Sequence, residues 1–437
     1  MNKRTFLKLL PASTIAGAYA VGAEKPEGAN WAGNIIYSTD NVHTVTSIDQ
    51  IRQVLHAEEH VKVQGTRHCF NTIADSRYSL LAVKAREAGM ELDDEKRTVT
   101  ADAGTTYGHL ALYLEAKGFA LHNLASLPHI SLAGACSTAT HGSGERNGNL
   151  ATAVAKLEMI TASGDMVVLS RESPEFKGAV VGLGALGIIT RVTLDIQPTF
   201  QVKQYVYQNL PLAQMRDHFD EIQASGYSVS LFTDWQGKRL NELWIKKRAD
   251  GTPFAAPPEL FGARLADRNL HPISQLSAEN CTEQRGVAGP WYDRLPHFKM
   301  GFTPSAGKEL QSEYFVPRRN AVDAILAVER LRDQITPHLL ISEIRTIQAD
   351  EFWMSPCYRQ DSVTIHFTWK PDWSAVRRVL PVIEKELAPF QVRPHWGKLF
   401  TMVPKYERRA DFLQLVRKYD PQGKFSNEFL NLNVMSL

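Results

Sequence analysis

Three short stretches of this 437-residue chain set polar side chains at a spacing of two inside apolar runs. Ile341-Ser342-Glu343-Ile344-Arg345-Thr346-Ile347 puts Glu343 and Arg345 on one face of a strand. Val363-Thr364-Ile365-His366-Phe367-Thr368-Trp369 does the same for Thr364, His366 and Thr368. His395-Trp396-Gly397-Lys398-Leu399-Phe400 reads as a third strand, with Trp396 and Lys398 sharing a face. A lone charge in such a run is costly to bury, whereas a pair lining a wet cavity is not. Taken singly, each residue fits a solvated sheet face with routine ion pairs. Together, a Glu, an Arg, a His, a Thr and a Lys offer both donors and acceptors, as a polyhydroxyl ligand requires. Lys398 and His366 are the candidates for accepting a proton, since burial depresses the pKa of an amine.

A second kind of chemistry lies upstream. The β-branched run Val61-Lys62-Val63 feeds Gly65-Thr66-Arg67-His68-Cys69-Phe70-Asn71. A Gly-Thr turn can aim backbone N–H groups at an anion, with His68 at its tip. Alone, such a histidine is an ordinary loop residue. It gains weight beside Ala125–Gly134 and Thr140–Gly144, where the run Ser131–Gly144 is rich in Gly, Ala, Ser and Thr. Small side chains let backbone approach a ligand, and serial hydroxyls can hold a pyrophosphate without a cationic clamp. Gly182-Leu183-Gly184-Ala185-Leu186-Gly187 fits the dinucleotide fingerprint, but it leads into the β-rich run Ile188–Leu194 rather than a helix. These glycines therefore read as close backbone packing.

The two loops and the later strands together resemble the vanillyl-alcohol-oxidase family, and within it the branch of alditol (xylitol) oxidases. The resemblance runs from about Asn30 to near the C-terminus. It implies FAD, linked covalently through His68. It carries the flavin contacts onto Val63, Gln64, Gly65, Thr66, Arg67, His68, Cys69, Ser126, Ser131, Gly134, Thr138, Thr140, His141 and Ile189. It carries the substrate contacts onto Ser126, Glu343, Arg345, His366, Thr368 and Lys398. The implied reaction is oxidation of a primary alcohol of a polyol to the aldose. Hydride passes to flavin N5, and O2 or another acceptor takes the electrons. The family loop usually has Gly and Ser where this chain has Arg67 and Cys69. The nearest alternative is a sugar-1,4-lactone oxidase or dehydrogenase, which shares the His-Trp-x-Lys element. A remote one is a non-catalytic exported flavoprotein that binds a sugar.

The positioning elements follow from periodicity. Ile48, Ile51, Val54 and Leu55 recur at helical spacing after the cap Ser47. Residues 97–101 read as a strand and Tyr107–Lys117 as a helix stopped by Gly118. Beyond Pro198, Tyr227–Phe232, Leu243–Ile245 and Ser312–Val316 read as strands. A helix is expected through Val322, Ile325, Leu326 and Leu331, and another through Val376–Leu387. The expected fold is α+β: a two-part FAD-binding domain of PCMH type over 30–200 and an α+β substrate-binding cap over 201–415. A segment over 416–437 returns to the FAD domain.

Composition bounds the rest. Apolar content of 43% and 22% charged residues describe a globular chain, and its length favours two domains. No basic run interleaved with aromatics points to nucleic acid. Cys69, Cys136, Cys281 and Cys357 show no metal-ligand spacing and read as free thiols. Residues 1–23 read as a signal peptide with alternative cleavage sites at Ala20 and Ala23. Lys3-Arg4-Thr5-Phe6-Leu7-Lys8 looks like a twin-arginine export signal with Lys3 in the first arginine position. Its removal takes three cations and moves the net charge from +2 to −1. Periplasmic or secreted location is the expectation, cytoplasmic if the signal is not functional. No stable membrane span is expected after cleavage, and a monomer is expected.

Overall fold

The computed structural model describes residues 28–86, 89–302 and 309–435. The signal-peptide reading of residues 1–23 falls outside these residues. The first half holds two main sheets and a short antiparallel pair, Phe119–Ala120 with Gln197–Pro198. Val42–Val45, Ser79–Val83 and Val61–Val63 pair in parallel in that spatial order. The helix Ile48–Ala57 covers them through Ile51, Val54 and Leu55. Ser47 caps it in a full capping box with Gln50, which satisfies two helix-end donors reciprocally. The second sheet has five antiparallel strands, Met90–Asp93, Thr98–Asp102, Ile188–Asp195, Val154–Ile160 and Met166–Ser170. The helix Tyr107–Ala116 packs on it through Leu110, Ala111 and Leu114. Gly118, at φ +81°, ends that helix in the left-handed region.

The later half is built on one ten-stranded sheet. Its central order is Gln201–Pro211, Arg239–Arg248, Ser228–Thr233, Leu339–Ile347, Ser362–Trp369 and Leu310–Pro317, each antiparallel to its neighbour. Alternation divides each strand between two environments. One face carries Leu231, Ile344, Ile365, Phe367 and Tyr314, and buries them under Ile325, Val328, Val376, Leu380 and Ile383 of two helices. The other face carries the polar series and looks toward the first half.

Two seams join the halves. Gly144 N–H donates to Thr346 O at 2.9 Å, and Asn147 Nδ2 to Tyr227 O at 3.0 Å. Phe70 N–H donates to Gly397 O at 2.8 Å. The chain comes back to the first half: Trp396, Tyr406, Phe412, Leu415 and Phe429 enter the core of the five-stranded sheet. Val61 N–H then donates to Lys424 O at 2.9 Å.

Three expectations change. Residues 395–400 form no strand. Gly397 N–H folds back onto His395 Nδ1 and Lys398 N–H onto His395 O, both at 3.0 Å. This turn sends Trp396 into the first core, where its Nε1 donates to Met354 O at 2.7 Å, and leaves Lys398 on the cavity with His395 and Gly397. The helix expected to run through Leu331 breaks, giving Ala321–Glu329 and Arg332–Ile335. The small-residue run also contains a helical segment, Leu132–Ser137, where a loop was expected.

Candidate active site

A cavity of about 490 Å³ lies between the two halves, within the usual ligand-site range of roughly 300–1,000 Å³. Every residue named above as a flavin or substrate contact borders it. The first half supplies Val63–Cys69, Ala125, Ser126, the Ser131–His141 segment and Ile189. The second supplies Glu343, Arg345, His366, Thr368 and Lys398.

The histidine loop is held from outside. Trp31 stacks on the His68 ring at 5.1 Å between centroids and 19° between planes. His68 Nδ1 lies 3.1 Å from Thr66 Oγ1. Arg67 takes φ +63° and is exposed; its carbonyl accepts from Trp31 N–H at 2.7 Å. A Cβ on Gly65 would stand 2.5 Å from Ser131 Oγ, so a larger residue where this loop crosses the second has to turn that hydroxyl away. Below the loop, Lys62 Nζ donates to Gly184 O at 3.0 Å and Phe425 O at 3.2 Å. Burial brings this amine down to about 7.

The donor set fits a long, polar, planar-headed cofactor. Gln64 Nε2 is buried beside the cavity with no protein partner, and Thr138 and Thr140 present adjoining hydroxyls 3.2 Å apart. A buried amide donor without a partner is expensive unless a ligand answers it. Neutral donors and hydroxyls suit a pyrophosphate.

The sheet wall is a row of directly opposed residues. Glu313 pairs in register with His366, and His366 with Glu343; Gln311 pairs with Thr368. Arg345 Nη2 donates to Glu313 Oε1 at 2.7 Å, and Arg345 Nε lies 3.6 Å from Glu343 Oε2. Glu343 Oε1 meets His297 Nε2 at 2.7 Å, and His297 Nδ1 lies 3.2 Å from Lys246 Nζ. Burial alone would raise the Glu343 carboxyl, but Arg345 and His297 outweigh it and hold the group well below the carboxylate range. Burial and then Lys246 push His297 down to about 4, and burial pulls Lys246 down to about 7. Burial also lowers His366 and Lys398, with Glu313 opposing the shift in both. Lys398 Nζ hydrogen-bonds Gln311 Oε1 and lies 4.7 Å from the centroid of the Phe70 ring.

Sequence reasoning missed Glu313, Gln311, His297 and Trp31. Glu313 alternates with Ser312 and Tyr314 inside the strand read as Ser312–Val316, whereas Gln311 lies one residue before that reading and inside the observed strand Leu310–Pro317. Nothing in the sequence says that this strand pairs with that of His366.

A model described as an FAD binding domain matches residues 39–170, and one described as D-arabinono-1,4-lactone oxidase matches 296–433. An alditol oxidase of a Streptomyces species is 45% identical over 92% of this chain and 97% of its own length. The chain belongs to the alditol oxidase branch of the vanillyl-alcohol-oxidase-type FAD oxidoreductases. An L-gulono-1,4-lactone dehydrogenase of Mycobacterium tuberculosis is 25% identical over 92% of this chain and 98% of its own. The crystal structure of cholesterol oxidase from B. sterolicum shares the fold, with a TM-score of 0.74 at 14% identity over 93% of this chain and 96% of its own. FAD is therefore the cofactor that the cavity of this family member takes.

Proposed function

We propose that the protein oxidises a terminal alcohol of an alditol, a xylitol- or sorbitol-like polyol, to the aldose. The observation that carries this reading is the convergence of Ser126, Glu343, Arg345, His366, Thr368 and Lys398 on one cavity opposite the His68 loop. The 45% identity to the Streptomyces alditol oxidase supports it. The chemistry that FAD supplies there is acceptance of the substrate's C–H hydride, with the electrons passed on to O2 as H2O2. His68, stacked on Trp31, is the proposed covalent anchor. Glu343 accepts from the distal hydroxyls and Arg345 donates to them, which fixes the orientation of the chain. Thr368 and Ser126 complete the donor–acceptor set. His366 or Lys398 takes the hydroxyl proton, both being held toward the neutral form by burial.

A second reading, a sugar-1,4-lactone substrate, is favoured by the match of residues 296–433 to a lactone oxidase model. A peroxide assay with xylitol, sorbitol, galactonolactone and gluconolactone separates the two. Peroxide from the polyols supports the proposal, and peroxide from the lactones alone refutes it. Export of the folded protein through a twin-arginine-type route is proposed from Lys3–Lys8 alone, and fractionation of cells expressing the full chain tests it.

A further inference from the structure

These roles leave Glu313 without a task, although it ends the cross-strand row Glu343–His366–Glu313. It is 2% exposed and stands on the strand beside the one that carries His366 and Thr368, two of the proposed substrate contacts. Its Oε1 lies 2.7 Å from Arg345 Nη2 and 3.2 Å from His141 Nε2. Its Oε2 lies 3.4 Å from His366 Nδ1, an ion-pair distance at which the ring nitrogen makes no aligned hydrogen bond. A simple partner for Arg345 would need one of these oxygens, and Arg345 already has Glu343 beside it. The second oxygen is turned to the imidazole. Burial would raise this carboxyl, but His141, Arg345 and His366 together hold it well below the carboxylate range, so it stays ionised and takes no proton itself.

We propose that Glu313 is a positioning residue for proton transfer: its charge draws the proton of the neutral His366 ring to Nδ1 and keeps Nε2 as the accepting nitrogen. It also supplies the counter-charge when Nε2 takes the proton of the substrate hydroxyl. The proposal rests on the alditol-oxidising reading, and it chooses His366 over Lys398 as the acceptor. The balance is simple. The O–H bond breaks and an Nε2–H bond forms. The O–H electron pair becomes the second carbonyl bond as the C–H hydride leaves with its own pair to FAD. The imidazolium then returns its proton to solvent. Nε2 lies 3.2 Å from Thr368 Oγ1, which places that nitrogen beside a residue already assigned to the substrate. Holding one ring nitrogen by a carboxylate sets which nitrogen is free to act.

The charged and titratable groups around His366 come from three sides. Glu313 stands on one neighbouring strand, Glu343 and Arg345 on the other, and Lys398 and His395 on the returning chain. Lys398 and Arg345 disfavour the imidazolium, while Glu313 favours it. Removing the Glu313 charge therefore leaves His366 harder to protonate and its tautomer unfixed.

The first test uses the unaltered holoprotein. Nitrogen-15 spectra of the histidine rings, with His366 assigned by its loss in His366→Asn, report the tautomer. A neutral ring protonated at Nδ1 is expected; protonation at Nε2 overturns the proposal. The second test is Glu313→Gln at native flavin content. The limiting rate of anaerobic flavin bleaching by a polyol should fall by about 10²-fold. The His366 titration should move to lower pH, and the polyol concentration for half-maximal rate should change little. A wild-type limiting rate overturns the proposal, whether or not half-saturation weakens, since a partner of Arg345 alone would affect binding. If Glu313→Gln does not fold, the wild-type tautomer decides. If no polyol bleaches the wild type, the activity reading fails separately, and the tautomer still tests the hold of Glu313 on His366.

Discussion

Asn71 holds Lys398 by its backbone: Asn71 Nδ2 donates to Lys398 O at 2.6 Å and to Trp396 O at 2.8 Å. Asn71 Oδ1 in turn accepts from Ile73 N–H at 3.1 Å. One side chain thus ties the end of the histidine loop to the turn that presents the lysine. Asn71→Ala leaves two carbonyls without their donor, at a cost of about 1–3 kcal/mol. A lower urea midpoint and a slower polyol reaction are expected together. An unchanged midpoint would show that the two loops are held by other means.

Lys398→Met keeps the length of the side chain and removes the amine. The protein should remain yellow, since the flavin loops are untouched. Polyol turnover should fall by about 10²-fold if Lys398, rather than the His366 chosen above, takes the hydroxyl proton. A near-normal rate, measured by peroxide release, would take Lys398 out of the proton-handling group.

His68→Ala removes the proposed tether without disturbing Gly65 or Ser131. Acid precipitation should then release the flavin into the supernatant, whereas the wild type should keep its colour in the pellet. A chromophore still attached in the variant would refute the linkage.

Glu343→Gln makes a pH prediction. The folded-state pKa of Glu343 lies below its unfolded value of about 4.3, so its stabilising contribution is present above that pH. It is lost as pH falls through the folded value. The stability gap between wild type and Glu343→Gln should therefore be large near pH 6 and shrink below about pH 4. A gap constant over that range, measured by denaturant titration, would mean that Glu343 is not held ionised by Arg345 and His297.

Much of this site was legible because strand periodicity reports faces. Glu343 with Arg345 and His366 with Thr368 could be placed in pairs without knowing any tertiary contact. The glycine and small-residue loops were legible because backbone approach demands small side chains, as Gly65 against Ser131 Oγ shows. The turn at Gly397 was not, because alternation in 395–400 looks the same whether or not a ladder forms. Glu313 and His297 were missed for a related reason. Their roles come from cross-strand register and from a loop that folds back under the sheet, and neither leaves a local mark. The helix break after Glu329 is of the same kind, since the apolar spacing continues through Leu331 while the backbone does not.

The most direct measurement is anaerobic mixing of the purified yellow protein with xylitol or sorbitol while following the flavin band. The polyol is expected to bleach the band, and admitting O2 to restore it with release of H2O2. A band that polyols leave unchanged, while a sugar-1,4-lactone bleaches it, would contradict the assignment of this cavity to alditols.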